Sequence, residues 1–239
     1  MSADEASIVD ARRRVLEEIA AAARRAGRDP TNVRLVAVTK QVPPERVAAA
    51  LAAGCEDLGE NRVQEAAAKI PLVGAAAGGG PARWHLIGPL QSNKARRAVE
   101  LFDVLEAVDT LDLALRLDRL AHELRPGRPL PVLLQVNVDA DPAKAGFSPA
   151  ALERDLPVIL DLPDLRVDGL MTVGRLVTDA EHARPTFVAL RTLSKRMRAI
   201  HPALGPDLSM GMSDDFAVAV EEGATIVRIG RALFGERHS

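Results

Sequence analysis

The sequence predicts an α/β fold, a single (β/α)8 TIM-type barrel with an extra N-terminal helix, spanning residues 1–239 as one domain. Three observations carry this prediction. Short apolar runs alternate with helical patterns along the chain, which implies parallel strands joined by right-handed crossovers. The strand-like runs number eight, and no shift in composition divides the chain into halves, so closure into one barrel is favoured over an open doubly wound sheet. The length of 239 residues is one that α/β barrels commonly reach as a single domain.

The first stretch, 4–26, spaces Ile8, Val15, Leu16 and Ile19 on three- and four-residue steps and stops at Gly27, as a helix does. After Pro30 comes RLVAVTK, a short β-rich run suited to a buried parallel strand. Residues 43–53 open on proline and close at Gly54, a helix with both ends marked. Further strands are expected at 57–59, 83–87, 104–108, 131–138, 165–171, 207–210 and 225–229. Helical patterns lie between them, at about 61–70, 92–101, 111–124, 150–161, 180–200 and 214–222. The segment GAAAGGG, 74–80, has no strand before it and no helix after it, so it reads as a flexible connector rather than a phosphate loop.

Composition excludes several function classes. With 47% hydrophobic and 27% charged residues the chain can bury a sizeable core. A net charge of −2 gives no electrostatic reason to expect nucleic acid or an anionic membrane as partner. The one cysteine, Cys55, excludes an intrachain disulfide, fits a reducing compartment and reads as a small buried residue. The N-terminus carries acidic residues before basic ones and no apolar h-region, unlike a signal peptide, and no stretch approaches the ~18 apolar residues needed to span a bilayer. The expected location is cytoplasmic.

Barrels place function at the C-terminal ends of their strands, with phosphate often held by the loops after strands 7 and 8. Lys40 ends strand 1, where burial would depress its pKa and leave the neutral amine that a Schiff base needs; the bland alternative is a lysine snorkelling to the rim. In SMGMSDD, 209–215, Gly211 permits close backbone approach, and Ser213 is either a donor to an anion or an ordinary helix cap. After strand 8, Gly230 lies at the turn and the N–H of Arg231 opens a short helix, so two adjacent strand ends offer anion donors. Arg228, within strand 8, needs an acidic or ligand acceptor if buried. Asn61 either reaches over the mouth or forms a capping box with Gln64. None of the five histidines has the spacing of a metal pair, and only His85, in WHLIG, could approach the mouth, a core role being the alternative.

Taken together, VAVTK, AAGCEDLGENRVQE, WHLIGPLQSNK, LLQVNVDADPAKAGF, GLMTVG, LSMGMSDDF and GATIVRIGRALFG resemble the pyridoxal phosphate homeostasis protein family and stand in that family's order, from about residue 34 to 235. The resemblance implies the barrel of alanine racemase without that enzyme's C-terminal β domain. It implies pyridoxal 5′-phosphate as cofactor, held as a Schiff base on Lys40, with Asn61 near the ring and Arg228 at its pyridine nitrogen. Ser213 and the Gly230–Arg231 backbone would take the phosphate, and His85 lies in a segment lining the mouth. Three positions depart from the family pattern. Arg62 stands where many relatives carry tyrosine, Arg231 where threonine or serine is common, and 174–178 lack a frequent proline.

The function so implied is intracellular cofactor homeostasis (vitamin B6 buffering and delivery) without racemase turnover. The expected partners are pyridoxal phosphate and apo-enzymes that use it, with no metal, nucleic acid or membrane, and the protein is expected as a monomer. The alternative is a pyridoxal-phosphate-dependent racemase-type enzyme, and the pattern alone also allows a class I aldolase-like barrel.

Overall fold

In the computed structural model, which describes residues 3–77, 82–174 and 179–235, the eight expected strands are all present. They are β1 (Arg34–Val38), β2 (Asp57–Glu60), β3 (Arg83–Leu86), β4 (Val104–Val108), β5 (Leu130–Gln135), β6 (Leu165–Met171), β7 (Asp207–Ser209) and β8 (Ile226–Ile229). Each pairs in parallel with the next, and β8 pairs with β1 through Leu35↔Val227 and Val36↔Arg228, closing the barrel. Closure leaves no open sheet edge.

The helices are α1 (Ala3–Arg25), α2 (Pro44–Ala52), α3 (Val63–Ala76), α4 (Ala95–Leu101), α5 (Leu111–Leu124), α6 (Pro149–Leu160), α7 (Arg184–Ile200), α8 (Phe216–Glu221) and α9 (Arg231–Phe234). Local chemistry starts several of them. Thr110 accepts the Leu113 N–H at 3.2 Å ahead of α5, and Ser148 accepts the Ala151 N–H at 3.1 Å ahead of α6. The apolar stripe of α5 then buries Leu113, Ala114, Leu117 and Ala121 against the sheet. The extra helix α1 buries Ile8, Val15 and Ile19 and packs on α2, α8 and α9, covering the seam where the last βα unit meets the first.

Several expected boundaries moved. Helix α3 continues past 70 through Pro71 and Gly74, because Pro71 lies on its exposed face, where the carbonyl that loses its partner is not buried. The expected connector 74–80 is therefore helical as far as Ala76, and its residues 78–80 lie outside the described residues. The helix expected at 214–222 is shorter, starting at Phe216, so Asp214 and Asp215 precede it. Of the departure at 174–178, residues 175–178 lie outside the described residues.

Two apolar layers result. A large cluster lies between sheet and helices, and a smaller one, Val36, Val104, Ala107, Leu133, Met171 and Ile226, fills the barrel interior. Side chains alternate along a strand, so positions two residues beyond an interior residue also face the axis. From Val36 that gives Val38 and Lys40, and from Ile226 it gives Arg228 and Gly230.

Candidate functional site

At the C-terminal ends of the strands a cavity of about 340 Å³ is lined by Val38, Lys40, Asn61, Ile87, Val173, Met212, Ser213, Asp214, Arg228, Gly230 and Arg231. Six of the seven residues expected at the site therefore share one cavity wall. The seventh, His85, does not line it. Among the described residues no cluster of His, Cys, Asp or Glu is arranged to hold a metal ion, and no helix is long and apolar enough to cross a membrane.

Lys40 is half-buried, in the turn that leaves β1. The following residue, Gln41, has φ of 59°, a left-handed conformation that costs a residue with a Cβ. The surrounding charges were not expected from sequence. Lys69 of α3 is buried and donates to the Thr39 carbonyl (2.6 Å), to Glu60 (2.6 Å) and to Glu65 (2.9 Å). Thr39 donates to Glu60 at 2.7 Å, and the Gln41 N–H donates to Glu65 at 2.5 Å. Burial pushes the Glu60 carboxyl up; burial also acts on Glu65, but there the bonds from Lys69 and Gln41 win and hold it down. One signal was available: Lys69 sits in the buried stripe of α3 with Val63, Ala66 and Val73, where a cation demands partners.

The anion donors converge on Ser213, whose hydroxyl receives the N–H of Gly230 at 3.3 Å and of Ala232 at 3.4 Å. Both bonds are long and leave those donors able to turn to a stronger acceptor. Ser213 does not cap α8; Asp215 occupies that place, and its carboxylate accepts the Met212 N–H at 2.6 Å. The loop needs Gly211 twice over: its φ is +92°, and a Cβ there would lie 2.6 Å from that of Ala219. The Arg231 guanidinium pairs with Asp214 at the rim. Asn61 forms no capping box, since α3 starts at Val63 with Arg62 before it and no side-chain cap. Its backbone is instead packed on Gly88, where a Cβ would come 2.4 Å from the Asn61 carbonyl oxygen.

Arg228 is buried and reaches the cavity from inside the barrel. Its Nη1 donates to Ser209 Oγ at 2.6 Å and its Nη2 to the Thr172 carbonyl at 2.8 Å. The Ser209 hydroxyl in turn donates a hydrogen bond to Glu106 at 2.5 Å. The other Glu106 oxygen meets His85 Nδ1 at 2.6 Å, and His85 Nε2 meets Asp57 at 2.8 Å. His85 thus lies in the barrel interior beneath the cavity, with both ring nitrogens committed to carboxylates. Two carboxylate neighbours, one at each ring nitrogen, favour the charged imidazolium. Burial lowers the His85 pKa, but Asp57 and Glu106 outweigh it and the net shift is upward. Burial likewise raises Glu106, but His85, Arg228 and Ser209 outweigh it and hold it below the usual carboxylate range. Sequence reading found Arg228 but not its partners. The signal for Glu106 is a carboxylate within the wholly buried run VLEAV.

Compared with known proteins, residues 12–238 match the family described as alanine racemase, N-terminal domain. A relative from Pseudomonas aeruginosa called pyridoxal phosphate homeostasis protein is 43% identical over 227 residues, covering 94% of this chain and 93% of that one. A solved protein of Bifidobacterium adolescentis superposes with a TM-score of 0.89 at 37% identity, over 98% of this chain and 97% of that one. The structure of PipY from Synechococcus elongatus PCC7942 with PLP bound superposes with a TM-score of 0.79 at 42% identity, over 92% of this chain and 100% of that one.

Proposed function

The chain belongs to the alanine racemase N-terminal domain family, among its pyridoxal phosphate homeostasis proteins, and from that premise we propose that it binds pyridoxal 5′-phosphate in the strand-end cavity and serves cofactor homeostasis in the cytoplasm. The single observation that carries the proposal is the joining of Lys40, Arg228 and the Ser213–Gly230 donors on one cavity wall. The donor set fits the ligand. An amine suits its aldehyde, hydroxyl and backbone N–H groups suit a phosphate dianion, and a buried guanidinium suits an unprotonated pyridine nitrogen.

Pyridoxal phosphate would supply an aldehyde, and Lys40 is the amine on the cavity wall placed to hold it. The protein's own groups bind and orient. Ser213 Oγ, Gly230 N–H and Ala232 N–H would hold the phosphate, with Arg231 on the same cavity wall. Arg228, kept in place by Ser209 and Thr172, would offer a remaining N–H to the ring nitrogen. Asn61, whose backbone is packed on Gly88, would lie beside the ring. A cation at the ring nitrogen keeps that nitrogen unprotonated, which weakens the ring as an electron sink and suits storage better than turnover.

The test is spectroscopic. Protein loaded with pyridoxal phosphate should absorb in the visible and be fixed irreversibly by borohydride, and Lys40→Ala should abolish the reducible chromophore without unfolding the chain. An undiminished adduct in that variant would place the attachment elsewhere. Transfer of cofactor from the loaded protein to apo-enzymes then tests the delivery role.

A further inference from the structure

The geometry points to Lys69 as a positioning residue that aims Lys40 into the cavity. Residues 39–41 carry Lys40, and both of its flanking peptides are tied to α3. The Thr39 carbonyl is bound by Lys69 Nζ at 2.6 Å, and the Gln41 N–H is bound by Glu65 at 2.5 Å. Lys69 also holds Glu65 at 2.9 Å, so one buried ammonium organises both ties. Glu60, itself fully buried, anchors that ammonium at 2.6 Å and receives the Thr39 hydroxyl at 2.7 Å.

The turn needs such restraint. Gln41 has φ of 59° without being glycine, and a left-handed conformation in such a residue persists only where its surroundings impose it. Alternation along β1 puts residue 40 on the axis side, and the ties on its two flanking peptides fix the turn in which its side chain leaves the strand. The clamp comes from a different element, is buried, and keeps its three oxygens within hydrogen-bond reach of one ammonium, which makes it rigid. Lys69 does not line the cavity, so it acts through Lys40 rather than on the ligand.

This inference rests on the reading of Lys40 as the attachment point, which the Lys40→Ala borohydride experiment tests separately. The experiment compares pyridoxal phosphate with deoxypyridoxine 5′-phosphate, which has the same phosphate and ring but no aldehyde. Lys69→Met should weaken pyridoxal phosphate and slow its borohydride-trappable capture by about tenfold, as a small misplacement of a reacting group does, while the deoxy analogue binds as before. Glycine adopts the left-handed turn without strain, so adding Gln41→Gly should restore a good part of the loss. Should Lys69→Met fail to fold, Glu65→Ala cuts the Gln41 tie at a carboxylate that is 26% exposed and should show the same selective loss. Equal weakening of both ligands, or no weakening of either in a folded variant, would overturn the assignment. If wild-type protein shows no Lys40-dependent adduct, the cofactor reading itself has failed and the two outcomes are told apart.

Discussion

Arg228 lies 2.6 Å from the hydroxyl of Ser209, and through it a guanidinium on the cavity wall is joined to Glu106 inside the barrel. The run continues through His85 to Asp57, so cations and carboxylates alternate along it. A buried charge left without its partner is costly, whereas one held in such an alternation is fixed in place. Arg228 is thus presented to the cavity by the barrel interior rather than by the mouth loops.

Ser209→Ala should break that junction. Arg228 loses one acceptor and Glu106 one donor, both in a dry interior, which should cost roughly 1–3 kcal/mol. Urea denaturation should show a lower midpoint at an unchanged slope, and pyridoxal phosphate should bind more weakly because Arg228 is less well aimed. Unchanged stability would mean the hydroxyl is bystander to the ion pair.

The pH dependence of stability should carry the mark of His85. Its folded pKa is raised above the ordinary value of 6.5, so its contribution is complete below 6.5 and is lost as pH rises through the raised folded value. Glu106, held below its ordinary 4.5, contributes fully above 4.5 and loses its contribution as pH falls through the lowered value. The melting temperature should therefore decline on the alkaline side above 6.5. His85→Gln should lower the melting temperature near pH 6 and flatten that decline; an alkaline limb identical to wild type would show that His85 is not the titrating group.

Ser213→Ala removes a donor to a dianion, a charge-assisted bond worth roughly 1.5–3 kcal/mol. Pyridoxal phosphate should bind about ten- to a hundredfold more weakly, while pyridoxal, lacking the phosphate, should be little affected. Equal losses for the two would make the Ser213 hydroxyl a purely structural acceptor for Gly230 and Ala232.

The protein should not invert amino acids at an enzymatic rate. Racemisation needs a proton taken from one face of the substrate carbon and returned to the other, hence two positioned acid–base groups. Lys40 can serve one face. Among the described residues of the cavity wall the one carboxylate, Asp214, is engaged with Arg231, and the chain contains no tyrosine. His85 has both nitrogens bonded beneath the cavity. Deuterium exchange at the α-carbon of alanine and serine, with chiral analysis, should show at most stereoretentive exchange. Sustained inversion would make this an enzyme.

Much of this could be read from the chain itself, because it is encoded locally. Strand and helix periods mark the eight βα units, and in a barrel each strand end becomes a place on one rim. Two-residue alternation along β1 and β8 puts Lys40, Arg228 and Gly230 on the axis side, so six of the seven expected residues met at one cavity. Boundaries were read less well where a local breaker met a permissive environment, as Pro71 did on the exposed face of α3.

What the chain order does not contain is which charges face each other across the barrel. Ser209 and Glu106 stand 103 residues apart, and Lys69 and Thr39 thirty. His85 shows the difference within one residue. Its place on an inward-facing strand position was legible, but whether it turned to the mouth or to the interior depended on the carboxylates of Asp57 and Glu106, which sit on neighbouring strands. Periodicity determines which side of an element a residue takes, since that follows from backbone geometry. The partners it meets there are decided only when closure removes water from the interior and each buried charge must be answered by a residue from elsewhere in the chain.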